Sequence, residues 1–369
     1  MGHIRPSQPS GGSRPMRRLR LFALAAAAIA TAFPALAECR GDDFLTRLEA
    51  THPELAARLA AADSQPYARG RFWLAEREGR SGILFGTFHS PDPAVATLPP
   101  GLAEAIAGAR RVVVEALPEE QQRLQQLMAA NPAMFLNTGG PTLDRLLSPE
   151  ELDGLARVIG AYGMPMQVAV QMQPWFLNML MATPPCLMAD MAAGRPMLDE
   201  RVIAAAQAAG VPVEGLERIE DALRIYRDAP AAWQLQLLRL NIALSHLSDE
   251  LMVAGQRLYL AEEIWRIWML NEVLVEALGL QEELGPLVAD FYRRALVARN
   301  RAWLPGIRRA LEAGGAVIAV GALHLAGPDS IQAMLEGEGW RFTRLGPDGR
   351  PHAADPAPAS EPPAQKKNR

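Results

Sequence analysis

The sequence predicts an α/β protein: a mainly parallel central sheet, flanking helices and a large all-helical insertion. Three observations lead there. Short apolar runs alternate with helical patterns near both ends of the chain, at 72–116 and 316–345, and crossover helices imply parallel strands. The stretch Arg111–Ala116, RVVVEA, has consecutive valines, as expected of a strand buried on both faces. Between about 119 and 310 the apolar spacing is helical, interrupted by one strand-like run near 211–214.

The elements follow in order. Met16–Arg20 is basic, Leu21–Phe33 is an apolar core too short to span a bilayer comfortably, and Ala35-Leu36-Ala37 has the small residues of a cleavage site. Residues 1–37 are therefore expected to be a signal peptide, cut after Ala37. Leu36–Cys39 resembles a lipoprotein box only faintly, because Glu38 stands where a small residue should precede a lipidated cysteine. No stable membrane anchor is expected after cleavage, and the periplasm or the exterior is the expected location. Cys39 and Cys186 are the two cysteines; in an oxidising compartment they are expected to pair.

The residues 39–62 read as helical, with Leu45, Leu48, Leu55 and Leu59 at helix-like spacing. Phe72–Glu76 and Gly82–Phe85 read as strands joined by a turn, 102–109 as a helix, and Ser148-Pro149 as a helix start. The Met-rich stretch Gln171–Met191 reads as core packing, since methionine fills irregular gaps. Asp199–Ala209 is expected to be helix, Val211–Glu214 and Ala316–Val320 strands, Pro328–Glu336 helix and Trp340–Leu345 a last strand. The domain is placed at 38–345, and the Pro- and charge-rich 346–369 is expected to be a disordered tail.

Charge excludes one class of partner. The chain has 37 Lys and Arg against 41 Asp and Glu, and removal of residues 1–37 takes five arginines and no acid. A surplus of acid argues against a nucleic-acid partner, which normally needs a basic face.

Two segments carry the chemistry. In SGILFGTFHSP the apolar run Ile83–Phe85 ends at Gly86, and His89 follows three residues later. In GGAVIAVGALHLAGPDS the same design places Gly321 and His324 after Val317–Val320. Ligands of parallel sheets bind beyond the carboxyl ends of the strands. If these two strands are neighbours, His89 and His324 converge there, and Glu115, closing the strand Val112–Val114, joins them. Two imidazoles and a carboxylate form a ligand set with open positions for a divalent transition metal, and Zn, Mn, Co and Fe all suit such donors. A bound metal would acidify water and polarise a carbonyl. Glycine at Gly86 and Gly321 permits a sharp turn or a close approach to the backbone. Ser90 reads as a turn residue before Pro91 rather than a nucleophile.

These motifs resemble the TraB/PrgY/GumN family, in its GumN-like bacterial branch, related to the Tiki proteases and, further off, to erythromycin esterase and the ChaN lipoproteins. GILFGTFHS and VIAVGALHLAGPDSI are similar to its two G-x-x-H motifs, VVVEAL to its acidic strand, VPVEGLERIEDAL to its G-L-E segment, and LVARNRAWLPGI to its helix with an R-N pair. The resemblance implies an erythromycin esterase/ChaN-like fold and a metal-dependent hydrolase, including a peptidase, acting on a peptide or small molecule. His89, Glu115 and His324 would be the metal ligands. Arg299, which sequence alone would place on the surface, is implied to hold a substrate carboxylate or an oxyanion. Glu217 is implied to lie at the same edge as a supporting group or a base; an acid offsetting a helix dipole is the other reading. Two readings of the whole protein stay open beside the hydrolase: a non-catalytic haem- or metal-binding protein, and an interaction protein whose pocket is idle.

Overall fold

The computed structural model describes residues 44–352, together with Gly2, Cys39 and Gly41. The expected signal peptide and the end of the tail lie outside the described residues.

Six strands form one sheet: β1 Phe72–Arg77, β2 Arg80–Thr87, β3 Arg111–Val114, β4 Val213–Gly215, β5 Ala316–Gly321 and β6 Arg341–Arg344. Their order is β4-β3-β5-β2-β1-β6. The pairs β3–β4, β3–β5 and β2–β5 are parallel, and β1 pairs antiparallel with both β2 and β6. The sheet is thus mainly parallel, as expected, with an antiparallel flank. That flank arises from a tight hairpin: Glu78 and Gly79 have φ of 51° and 74°, the left-handed pair that a two-residue hairpin turn demands.

Side chains alternate between the two faces of the sheet. Leu84, Val113, Ile318 and Val320 pack with Trp303, Ile307 and Leu311 on one side. Phe85, Val112, Val114, Val317 and Ala319 pack with Leu102, Ile106, Val202 and Trp265 on the other. Because both faces are covered, the central strands read as unbroken apolar runs rather than as alternation.

Apart from β4, the chain from Glu119 to Ala313 is built of helices and their connections. Ser148 caps the helix Pro149–Ala161 in a capping box with Glu151, as its sequence predicts. Part of the Met-rich stretch is core: Met172, Trp175, Phe176 and Leu177 are buried together, whereas Met188 and Met191 are exposed. Cys39 and Cys186 form a disulfide across a sequence separation of 147. Among the described residues no helix is long and apolar enough to cross a membrane.

One boundary is corrected. The chain beyond Leu345 does not fray at once. Leu345 and Pro351 form a bridge, the Gly346 N–H donates to the Arg350 carbonyl, and the Gly101 N–H donates to the Pro347 carbonyl. Low apolar content does not prevent order here, because backbone bonds to the start of the helix Pro100–Ala107 hold the segment in place.

Candidate functional site

Strand order decides what meets. β5 lies between β3 and β2, with Thr87 opposite Gly321 and Val114 opposite Ala319. The residues just past these strands therefore emerge side by side: His89 after β2, Glu115 after β3, and His324 in the short turn Ala322–Leu325 after β5. β4 extends the row. Leu216 and Glu217 donate their N–H groups to the Glu115 carbonyl, which brings the Glu217 side chain to the same edge.

Arg299 enters from above. It lies at the start of the helix Ala298–Ala313, directly after a π-helical turn, Arg293–Val297. Such turns reset the facing of the residues that follow and are frequent at functional sites. Its Nε and Nη2 donate to Glu217 at 3.1 and 2.6 Å, and Nη2 also donates to Glu115 Oε2 at 2.7 Å. Nη1 donates to the Ala295 carbonyl at 3.4 Å and lies 3.1 Å from His324 Nε2. All five N–H groups are thus directed at acceptors, and the guanidinium carbon sits 4.3 Å from the centre of the Trp303 ring. Its side chain is 19% exposed, so the surface placement that sequence alone suggests is overturned. The cause is the double carboxylate pairing, which makes burial of a guanidinium tolerable.

His324 is 4% exposed at its side chain. Asn300 donates through Nδ2 to the Asp329 carbonyl, which turns its Oδ1 toward His324 Nδ1, 2.6 Å away. Nδ1 therefore carries the proton, and Nε2 presents its lone pair to Arg299. Burial, with the nearby Arg299 charge, pushes the imidazole down to about 3 against the pull of Glu115, so it is neutral.

Glu115 accepts from the Gly321 N–H at 2.6 Å and from Arg299. Burial would raise its carboxyl, but the Arg299 charge, the two imidazoles and the Gly321 N–H outweigh it and hold the group down at about 2. Glu217 is more enclosed, 6% exposed. It accepts from Arg299 and from the Trp303 indole, yet burial raises its carboxyl above the ordinary value. These contacts favour the supporting reading of Glu217, and its place just before the helix Ile219–Arg227 is also the one the dipole reading requires.

His89 sits differently. Its side chain is 63% exposed, and Nδ1 lies 3.0 Å from Asp199 Oδ2. The Thr87 hydroxyl donates to the other Asp199 oxygen at 2.6 Å. The Asp199 charge and hydrogen bond, with the nearby Glu115 charge, push the imidazole up to about 9. Asp199, in the first turn of the helix Leu198–Ala208, is a site residue that sequence reasoning missed. Ser90 is buried and accepts from Gln256 and from the Asp92 N–H, in keeping with its reading as a turn residue.

The two motif glycines serve close approach, not reversal; neither has positive φ. A Cβ on Gly86 would stand 2.8 Å from Ala322 Cα, and one on Gly321 would stand 3.1 Å from Glu115 Oε1.

The expected metal ligands thus share one edge, and their donor types suit a transition ion. As arranged they do not fit one. Among the described residues no three His, Cys, Asp or Glu side chains are placed to hold a metal, and the Arg299 guanidinium occupies the faces of His324 and Glu115 that an ion would need.

The fold and site define an α/β protein with a buried ion-pair cluster and an exposed imidazole–carboxylate pair beyond the carboxyl ends of its parallel strands. The chain belongs to the TraB/PrgY/gumN family, whose model matches residues 71–344. No curated protein matches the chain.

Proposed function

We propose that this protein is an exported hydrolase, acting on a peptide or another acyl substrate at the edge formed by His89, Glu115 and His324. The observation that carries the reading is the convergence of these groups from β2, β3 and β5, with one imidazole open to solvent and oriented by a carboxylate. Asp199 takes Nδ1 of His89, which leaves Nε2 for a substrate. As an imidazolium, His89 donates its proton to the leaving group as the acyl bond to that group breaks and water adds to the carbonyl carbon; the proton shed by the water returns to His89 Nε2, which restores the imidazolium and leaves the free acid. Glu115, held ionised, orients that water. The environments drive the two imidazoles apart in acidity, the pattern that separates a proton donor from a neutral partner.

The metal implied by the family is kept as a second reading, because His324 has its Nδ1–H fixed by Asn300 and its Nε2 lone pair free of a proton, the way a metal-binding histidine is held. Haem or metal storage without turnover, and partner binding with an idle pocket, are the remaining readings. The disulfide supports an oxidising compartment, and we place the mature protein in the periplasm. We also propose that the sheet and helices 119–310 correspond to an erythromycin esterase/ChaN-like core with a helical insertion.

The test is hydrolysis of casein-derived peptides and p-nitrophenyl esters by the mature protein, with and without EDTA. Turnover that is lost in both His89→Ala and Asp199→Asn supports the proposal. Turnover unchanged in both variants overturns it, and EDTA-sensitive turnover selects the metal-dependent form.

A further inference from the structure

We infer that Arg299 is the resident cation of this site: its guanidinium fills the place a divalent ion would take, so the wild-type protein holds no metal there, and removing the guanidinium uncovers a latent cation site made of Glu115, Glu217 and His324. The inference takes from the hydrolase proposal only the location of the chemistry; metal content and turnover are read separately.

An ion bound by His324 must lie along the Nε2 lone pair at about 2.0–2.2 Å. Arg299 Nη1 stands 3.1 Å from that nitrogen. Nitrogen and ion cannot share that direction, and two cations at such a separation repel strongly in a buried site. The same guanidinium spans Glu115 Oε2 at 2.7 Å and Glu217 Oε1 at 2.6 Å through a single nitrogen, Nη2. Two carboxylates are thus gathered around one N–H₂ group, and His324 Nε2 lies 3.8 Å from Glu115 Oε1. A cation does the gathering, and that cation is covalently part of the chain. Trp303 backs it with its ring face and donates to Glu217 from its indole N–H.

Glu115, Glu217 and His324 are not placed to hold an ion while the guanidinium spans them; withdrawing it would let the two carboxylates and the imidazole close on the space it leaves. Such a set of oxygen and nitrogen donors suits Mn²⁺ or Zn²⁺. Arg299 is therefore a positioning residue, holding apart and neutralising groups that would otherwise recruit an ion, and its loss should give a gain of binding that disrupted packing alone would not produce.

The experiment measures metal in the mature protein purified from cells supplied with Mn²⁺, Zn²⁺, Co²⁺ and Fe²⁺, followed by calorimetric titration with Mn²⁺ and Zn²⁺. The wild type should carry well under about 0.1 ion per chain, and Arg299→Ala should bind about one, lost again when His324→Ala is added. About one ion per wild-type chain, removed by Glu115→Ala or His324→Ala, would overturn the inference, as would an Arg299→Ala protein that folds and binds nothing. Arg299→Met keeps the stem of the side chain and replaces the alanine variant if that one does not fold. A metal-free but inactive wild type would count against the hydrolase and leave this inference standing.

Discussion

The two G-x-x-H segments are near-copies in sequence and opposites in environment. Each ends a parallel strand of the same sheet, and the strands are paired, Thr87 against Gly321. Yet His89 is open to solvent, tied to a carboxylate and raised in basicity, whereas His324 is enclosed, tied to an amide and lowered. The difference lies in what each turn meets. Beyond β2 the chain passes the first turn of the helix Leu198–Ala208, which offers Asp199. Beyond β5 it meets Arg299 and Asn300, neighbours in sequence that address the two ring nitrogens of one histidine. One imidazole is positioned to exchange protons and the other to hold a cluster together. A repeated motif specifies where a side chain emerges, and partners distant in sequence decide what it does.

The contrast can be broken most directly through activity. His89→Ala should lower turnover by about 10²–10⁴-fold, the usual contribution of a positioned proton donor, while destabilising the fold less than His324→Ala does, because its link to Asp199 is exposed and screened by solvent; kinetics and denaturant melts on the same preparation check both. Equal destabilisation by His89→Ala and His324→Ala would end the comparison.

Stability comes next. Glu115→Ala leaves Arg299 short of one carboxylate and should cost about 3–5 kcal/mol, the penalty for breaking a buried pair. His324→Ala removes the partner of Asn300 and of Arg299 Nη1 and should cost about 2–6 kcal/mol, at roughly 1–3 per orphaned group. Urea unfolding reads both.

The glycines test the same contrast on a smaller scale. Gly86→Ala drives a methyl into the backbone of Ala322 and should cost about 1–3 kcal/mol. Gly321→Ala meets a carboxylate oxygen at 3.1 Å and should cost less, but should displace Glu115. The smallest effect sharpens the pair by pH. Imidazole resonances should show His89 protonated until about pH 9 and His324 neutral down to about pH 3. A raised group stabilises the fold fully below its unfolded value of 6.5 and loses that contribution as pH rises through 9. A lowered histidine contributes above 6.5 and loses its share as pH falls toward 3. Asp199→Asn should bring His89 down and leave His324 where it is.

Much of the site was legible. Apolar runs ending in glycine marked the strands, and their parallel pairing put His89, Glu115 and His324 on one edge. Arg299 and Glu217 were reachable by family resemblance, but not their mutual contact, which needs the helix Ala298–Ala313 to pack across the sheet against β2, β3 and β5. Asp199 was not legible. An acid in the first turn of a helix reads as a dipole-favoured residue, and its partner is 110 positions away. The signal was available only once β2 and the start of that helix were known to be neighbours. The ordered segment after Leu345 was missed for a similar reason: its bonds are made by the backbone, which composition does not reveal.

Trp303 touches both halves of the buried cluster, with its ring centre 4.3 Å from the Arg299 guanidinium carbon and 4.4 Å from the centre of the His324 imidazole. Indole emission is sensitive to adjacent charge, so this chain carries its own optical gauge of the cluster. The difference in fluorescence between the native protein and Trp303→Phe isolates that signal from the other six tryptophans, and lets occupancy of the edge be followed without a label or a known substrate.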